Sequence, residues 1–301
     1  RSARKGCWGG PMVELIGVYQ VSLLTAMGIS VILALSLNLI SGFCGQISLG
    51  HAAFYGAGAY GAAMATTGGW PFFAGLGVGI LVAALLGIVV GVATLRVRHD
   101  FLAITTMGVG FLFLGIVRQQ EWLGGEMGIA SIPDAGLGRG GYMVLVMAIA
   151  VAIAIFSFYV KRSWMGYTFD AIADDEDTAR MVGINVARYK LTAFVMGTGL
   201  AGLAGGLYAH DVKFIGPDSF GFVESVTILS MVVIGGIGPV WGVVVAAAVL
   251  SVLPFWFQFI EDYKLLLYGG LLFAVMRYSP GGLAGLVSQA LRRWRQHRAA
   301  P

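Results

Sequence analysis

Apolar positions run continuously through most of this chain, in segments set apart by charges or turn residues. The segments fall near 14–40, 51–67, 72–95, 101–117, 142–160, 191–209, 223–238, 240–260 and 264–277. A helix crossing the hydrocarbon core needs about 20 mainly apolar residues, whereas a barrel strand alternates apolar and polar positions over about 10. The runs here do not alternate, so the pattern predicts an all-α polytopic bundle of about eight to ten transmembrane helices, some of them short or broken. Nine segments suggest nine crossings. The 14–40 run is either one long tilted helix or a helical hairpin broken at Gly28, and 51–67 and 223–238 are short and glycine-rich enough to be half-helices.

Composition agrees with the pattern. Of 301 residues, 58% are hydrophobic and 11% charged, with mean hydropathy +0.84, against roughly 45–50% and about 25% in soluble domains. Leu15 to Leu95 is a run of 81 positions without Lys, Arg, Asp or Glu, from which no water-facing surface can be built. One transmembrane domain over 1–301 is expected, with the lipid bilayer as its medium. Cys7 and Cys44 are too few for a disulfide framework and imply no metal site. The formal charge of +4 needs no nucleic acid to explain it, because basic residues in a membrane protein report orientation.

Arg96 and Arg98, then Lys161, Arg162, Arg180, Arg188 and Lys190, then Arg277, Arg292, Arg293, Arg295 and Arg298 mark three segments as cytoplasmic. The alternate loops hold only Arg118, Arg139, Lys213 and Lys264. This places the carboxyl terminus, with its basic tail at 287–301, in the cytoplasm. The parity fails at the amino end, where Arg1, Arg4 and Lys5 would lie outside if 14–40 crosses once. Residues 1–13 are read as a processed, truncated or surface-lying start, and no secretory signal can be claimed for them.

Two stretches stand out from the apolar background. The first, Leu37 to His51, places Asn38, Ser41, Gln46, Ser48 and His51 among Gly42, Gly45 and Gly50. Polar groups and irregular backbone at membrane depth are tolerated where they face protein or a water-filled cavity. The stretch is therefore either a helix-ending loop at the membrane surface, with Asn38 and Gln46 in structural hydrogen bonds, or a break lining a solute path with Asn38, Gln46, Ser48 and His51. The second, Lys161 to Lys190, is the only sizeable hydrophilic block. Phe169, Ile172, Ala173, Glu176, Ala179 and Val182 follow a helical period there, and Gly183 suits a left-handed stop. A short amphipathic cytoplasmic helix is expected. A connection this long among otherwise tight ones usually has a function, and docking of a cytoplasmic partner is the natural one. Elsewhere the glycines inside the helices, such as Gly56, Gly58 and Gly61 or Gly197, Gly199, Gly202, Gly205 and Gly206, suit close helix packing or unwound points beside a pathway.

No P-loop, HExxH, Cys/His cluster or Gly-x-Ser-x-Gly elbow occurs, so no catalytic residue, metal or cofactor is expected in this chain. No charged residue within the membrane runs offers a coupling-ion site. Energy for uphill movement must come from elsewhere, which is the logic of an ABC transporter permease.

Specific residues carry a resemblance. Ala34 to Gly42, Gly45-Gln46-Ile47-Ser48-Leu49-Gly50-His51-Ala52-Ala53-Phe54 and Gly58-Ala59-Tyr60 closely resemble the signature of LivM-type permeases of branched-chain amino acid ABC importers. Asp100 to Gly108 looks like that family's Asp-Tyr-Leu-Ala-Ile segment, and Gly166 to Lys190 is similar to its coupling loop. Ala201 to Ala209, Val232 to Gly238 with Trp241-Gly242, and Pro280 to Leu283 extend the likeness over about residues 30–286.

The resemblance implies an inner-membrane subunit paired with a LivH-type permease, two cytoplasmic ABC ATPase subunits that bind ATP and Mg, and a periplasmic solute-binding protein. Phe169, Ile172, Asp174, Asp175, Glu176, Asp177, Ala179 and Gly183 would carry the ATPase coupling, and loops 118–141 and 210–222 would dock the binding protein. Asp177-Thr178-Ala179 with Gly183 is a degenerate form of the EAA-x3-G pattern and lacks its Ile-x-Leu-Pro tail. The family usually has a further hydrophobic segment ahead of 14–40, and its loss would account for the parity conflict. Branched-chain or other apolar amino acids are the family's default solutes, with urea or short amides as the alternative. A channel or secondary transporter working alone is the reading from a different class.

Overall fold

The computed structural model describes residues 17–94, 99–256, 263–279, 281–286 and 288. The readings for residues 1–13, for Arg96 and Arg98 and for nearly all of the tail at 287–301 lie outside the described residues. Helices α1 (Val18–Leu37), α2 (His51–Thr67), α3 (Phe72–Thr94), α4 (His99–Gln119) and α5 (Gly138–Arg162) precede two short hydrophilic helices, α6 (Trp164–Asp174) and α7 (Glu176–Met181). Helices α8 (Val186–Val212), α9 (Phe222–Gly235), α10 (Val240–Trp256) and α11 (Lys264–Tyr278) follow. Among the described residues, six spans are long and apolar enough to cross a membrane: α1 with its extension to Phe43, α3, α4 from Phe101, α5, α8, and α9 with the turn before it. Helices α2, α10 and α11, with 17, 17 and 15 described residues, correspond to the three remaining apolar runs and over that described extent are shorter than the roughly 20 residues that a full crossing needs.

The run at 14–40 contains a single helix that continues through Gly28. A Cβ there would strike Val146 of α5, so this glycine marks a close approach between helices rather than the bend of a hairpin.

At the heart of the bundle, α2, α3 and α8 meet backbone to backbone. A Cβ on Gly58 would collide with the Gly202 backbone, one on Gly79 with the Gly58 carbonyl, and one on Gly205 with the Tyr55 carbonyl. Lipid offers no hydrophobic drive for helix association, so close approach across small residues supplies the attraction. The pairings Gly58 with Gly202 and Ala62 with Gly206 run in the same sense. Those of α3 with α8, Leu76 with Gly206 and Gly87 with Thr198, run in opposite senses. Helices α2 and α8 are therefore parallel and α3 is antiparallel to both. Phe54 packs edge-on against Phe194 with centroids 5.5 Å apart.

The chain ends its helices at two levels. At one, the Tyr19 hydroxyl donates to the Phe255 carbonyl at 2.9 Å. There the loops before α5 and α9 join through a two-residue antiparallel pair, β1 (Ile129–Ala130) with β2 (Phe214–Ile215). Arg118–Asp218 at 2.6 Å and Lys213–Asp134 at 3.2 Å link the same two loops. At the other level, Gly42 meets Gly238, Gly236 meets Gly281, and α6 and α7 close the bundle. Loops 118–141 and 210–222 thus share one end, while 161–190 and the segment after α11 share the other.

Candidate translocation and coupling elements

Helix α1 ends in a π-turn over Asn38–Phe43. Such widened turns are rare and concentrate at functional sites. Asn38 is fully buried, and both polar atoms of its amide are used on the backbone of one residue 200 positions away. Its Nδ2 donates to the Gly238 carbonyl at 3.3 Å, and its Oδ1 accepts from the Gly238 N–H at 3.0 Å. Gly238 has φ +107° and sits in the break between α9 and α10, where no helix partner serves its backbone. The amide supplies what a helix would have supplied. Gly42 completes the contact, because a Cβ there would overlap the Asn38 side chain and the Gly238 nitrogen.

From Cys44 to Gly50 the backbone is irregular, with Gly45 at φ +69°. The Ser41 hydroxyl donates to the Gln46 carbonyl at 2.8 Å, and the Gln46 N–H reaches the Ile40 carbonyl at 3.2 Å. Side chains then alternate: Gln46 and Ser48 point inward and are buried, whereas Ile47 is 51% exposed and Leu49 half-buried. Gln46 Nε2 meets the Cys44 sulfur at 3.7 Å, and the Ser48 hydroxyl has no hydrogen-bond partner. His51 opens α2 with its Nε2 2.7 Å from Ser36 Oγ. Ser36 Oγ also lies 2.6 Å from the Leu33 carbonyl, and the other ring nitrogen of His51, Nδ1, has no hydrogen-bond partner. The segment is pinned to its neighbours through Leu49 N–H to Thr106 Oγ1 at 3.0 Å and Ala52 N–H to Ser225 Oγ at 3.1 Å. Leu49 lines a narrow apolar cleft with Met107, Phe111, Leu114 and Phe222. The polar residues that drew attention in the sequence thus face the bundle, and the outward surface of the break is made by Ile47 and Leu49.

The hydrophilic block forms two helices instead of the single amphipathic one expected. Asp175 interrupts the period with an extended backbone at φ −157°. Its carboxylate caps α7 by accepting from Asp177 N–H and Thr178 N–H, each at 2.9 Å. Those bonds, led by the one from Thr178, hold its pKa below the usual carboxylate value. Helix α7 stops at Gly183, with φ +89° and open space around it, and Asn185 caps α8 by accepting from Arg188 N–H at 3.2 Å. Phe169, Ile172 and Ala179 are buried against the chain's own helices. Asp174, Asp175 and Asp177 are exposed. Glu176 is tied to Arg180 and to Lys190 of α8, both at 2.7 Å. An open cleft of about 260 Å³ lies beside this ion pair, bounded by Ile184 to Ala187. The tip of α7 exposes Met181 at 87% and Val182 at 72%. Sequence reasoning passed over these two, because Val182 fitted the apolar period of a buried face.

The two stretches are neighbours in space. A Cβ on Gly45 would lie 3.3 Å from Ala173 of α6, and the Lys161 ammonium sits 5.0 Å from the centre of the Phe43 ring. Among the described residues there is no cluster of three or more His, Cys, Asp or Glu placed to hold a metal ion.

Comparison with known proteins fits this arrangement. Residues 19–276 match the family model described as branched-chain amino acid transport system / permease component. The high-affinity branched-chain amino acid transport system permease protein LivM of Escherichia coli strain K12 is 32% identical over 313 residues, covering 94% of this chain and 73% of that protein. A probable branched-chain amino acid transport permease protein LivM of Methanocaldococcus jannaschii is 25% identical over 238 residues, 69% of each chain. LivH of Escherichia coli K12, from a system of the same name, is 28% identical over 131 residues, 43% of this chain and 42% of its own. No solved structure matches the chain. With most of its length matched by the family model and nearly all of it aligned to LivM, this multi-pass membrane protein belongs to the permease component family of branched-chain amino acid transport systems.

Proposed function

We propose that this chain is the LivM-type permease subunit of a bacterial ABC importer. It passes branched-chain or other apolar amino acids across the inner membrane and pairs there with a LivH-type permease. ATP and Mg bind to two cytoplasmic ATPase subunits, and a periplasmic binding protein delivers the solute. The end of the bundle carrying α6, α7 and the segment after α11 faces the cytoplasm, in keeping with its basic residues. The loops joined by β1 and β2 face the periplasm as a single platform for the binding protein. The membrane break at 38–51 borders the path. Asn38, Gln46, Ser48 and His51 shape it from behind, and Ile47 and Leu49 present an apolar edge that suits an aliphatic side chain.

The observation that carries this reading is the tip of α7. Two large apolar side chains, Met181 and Val182, are exposed at the end of an element that also exposes Asp175 and Asp177 and is tied to α8 by Glu176–Lys190. Exposed apolar groups rimmed by charge mark an interaction surface. ATP binding would draw this element toward its counterpart on the partner permease, open the pair toward the periplasm and admit the solute, and hydrolysis would reset it. In detergent-purified complex, Met181→Asp with Val182→Asp should release the ATPase subunits while the permease pair stays together. Retention of the ATPases with unchanged uptake would sink the docking assignment.

A further inference from the structure

Lys161, the penultimate residue of α5, connects three elements: its own helix, α6 and the π-turn. Its ammonium pairs with Asp170 of α6 and lies over the ring of Phe43, the last residue of the π-turn. Phe43 is fully buried, so the ring is fixed and the cation is positioned on it. A cation over an aromatic face is attracted by the ring's negative face, the more so when both are shielded from water. One turn along α6 from Asp170, Ala173 abuts Gly45, the first left-handed residue beyond the π-turn. Helix α6 therefore touches the membrane break on either side of Cys44, through Lys161 at Phe43 and directly at Gly45. The inner face of α6 is locked by Phe169 and Ile172, with Phe169 edge-on to Tyr189 of α8 at 6.1 Å. Phe43 and Gly45 are therefore the points at which α6 and Lys161 bear on the break, and the same π-turn carries Asn38, which is bonded to Gly238.

The geometry points to Lys161 as the positioning residue that couples the cytoplasmic element to the membrane break, so that movement of α6 resets the 38–51 segment. This rests on the reading of α6 and α7 as the site of ATPase docking. It adds a route by which docking is felt in the path, and it names Asp170 and Phe43 as the groups through which Lys161 acts.

The test uses the whole importer in proteoliposomes, with the liganded binding protein outside, and reads leucine taken up per ATP hydrolysed. Lys161→Met keeps the apolar stem and removes the charge. Its ratio should fall by roughly tenfold, within the range typical of coupling between sites, with ATP hydrolysis continuing. Lys161→Arg should restore the ratio and Lys161→Gln should not, a pattern that loss of packing alone would not give. If Lys161→Met fails to assemble, Phe43→Leu decides, since it removes the ring face while leaving Lys161 on Asp170, and it should also lower the ratio. A wild-type ratio in Lys161→Met, or in Phe43→Leu should the former not assemble, overturns the inference. Asp177→Lys on the outer surface of α7 separates the two ideas. If it uncouples while the Lys161 variants do not, the relay alone is wrong, and if it too transports normally, the docking reading fails with it.

Discussion

Replacing Asn38 with leucine removes both hydrogen bonds to Gly238 while conserving most of the side-chain volume. Each bond contributes about 0.5–1.5 kcal/mol net, and a buried group left without a partner costs about 1–3 kcal/mol. Hydrogen bonds between membrane helices are weaker, averaging about 0.6 and reaching about 1.7 kcal/mol, because the unfolded chain in lipid finds other partners. Gly238 has no such alternative in the folded state, being buried in a break that its own helices do not serve. A loss of about 2–3 kcal/mol follows for Asn38→Leu by these figures. Gln46→Leu is the internal control, since it gives up only a contact to sulfur at 3.7 Å, a weak acceptor, and should cost less than about 1 kcal/mol. Reversible unfolding of the purified chain in mixed micelles, followed by tryptophan fluorescence against SDS, measures both. The reasoning is refuted if the two variants unfold at the same midpoint, for then the clasp on Gly238 holds nothing.

Two further outcomes are expected. Gly205→Leu drives a side chain into the Tyr55 carbonyl and should abolish the folded bundle, whereas Gly77→Leu on α3, with nothing within 4 Å, should fold normally; monodisperse yield on size exclusion reads both. The depressed pKa of Asp175 means that its cap stabilises α7 above the ordinary carboxylate pKa and is lost as pH falls through the lower folded value. Amide exchange at Thr178, corrected for intrinsic rate, should therefore accelerate on acidification in the native chain and be fast and pH-independent in Asp175→Ala; protection that persists in that variant would remove the cap from the account.

The helical membrane class was plain in the sequence, because unbroken apolar runs leave few other folds. Contacts between distant segments were less accessible. Asn38 could be flagged as a polar residue in an apolar run, but its partner lies 200 residues on, in a glycine-rich break with no polar side chain to advertise it. The interruption at Asp175 was readable in principle, since an Asp directly before Glu-Asp is a helix-start signal. The apolar period running across it was the more conspicuous pattern and hid it. Polarity at 46–51 drew the eye toward an aqueous path, yet successive side chains of this irregular segment alternate between the bundle and the outside. That turned Ser48 inward and left Ile47 outside.

The three-helix contact at the centre of the bundle also constrains how the protein is made. Helix α2 is short, glycine-rich and absent from the spans that qualify for the membrane by length and hydropathy. Its main stabilising surface is the backbone of α8, and about 120 residues separate the two, which at roughly 5–20 residues per second is a wait of about 6–24 s on the ribosome. During that interval α2 has only α3 and a smaller contact with α4 against it, and too little apolar surface to hold itself in lipid. The early part of this chain therefore depends on the insertion machinery to shelter α2 until α8 arrives, and a nascent chain arrested before Val186 should be a substrate for membrane quality control rather than a stable fragment.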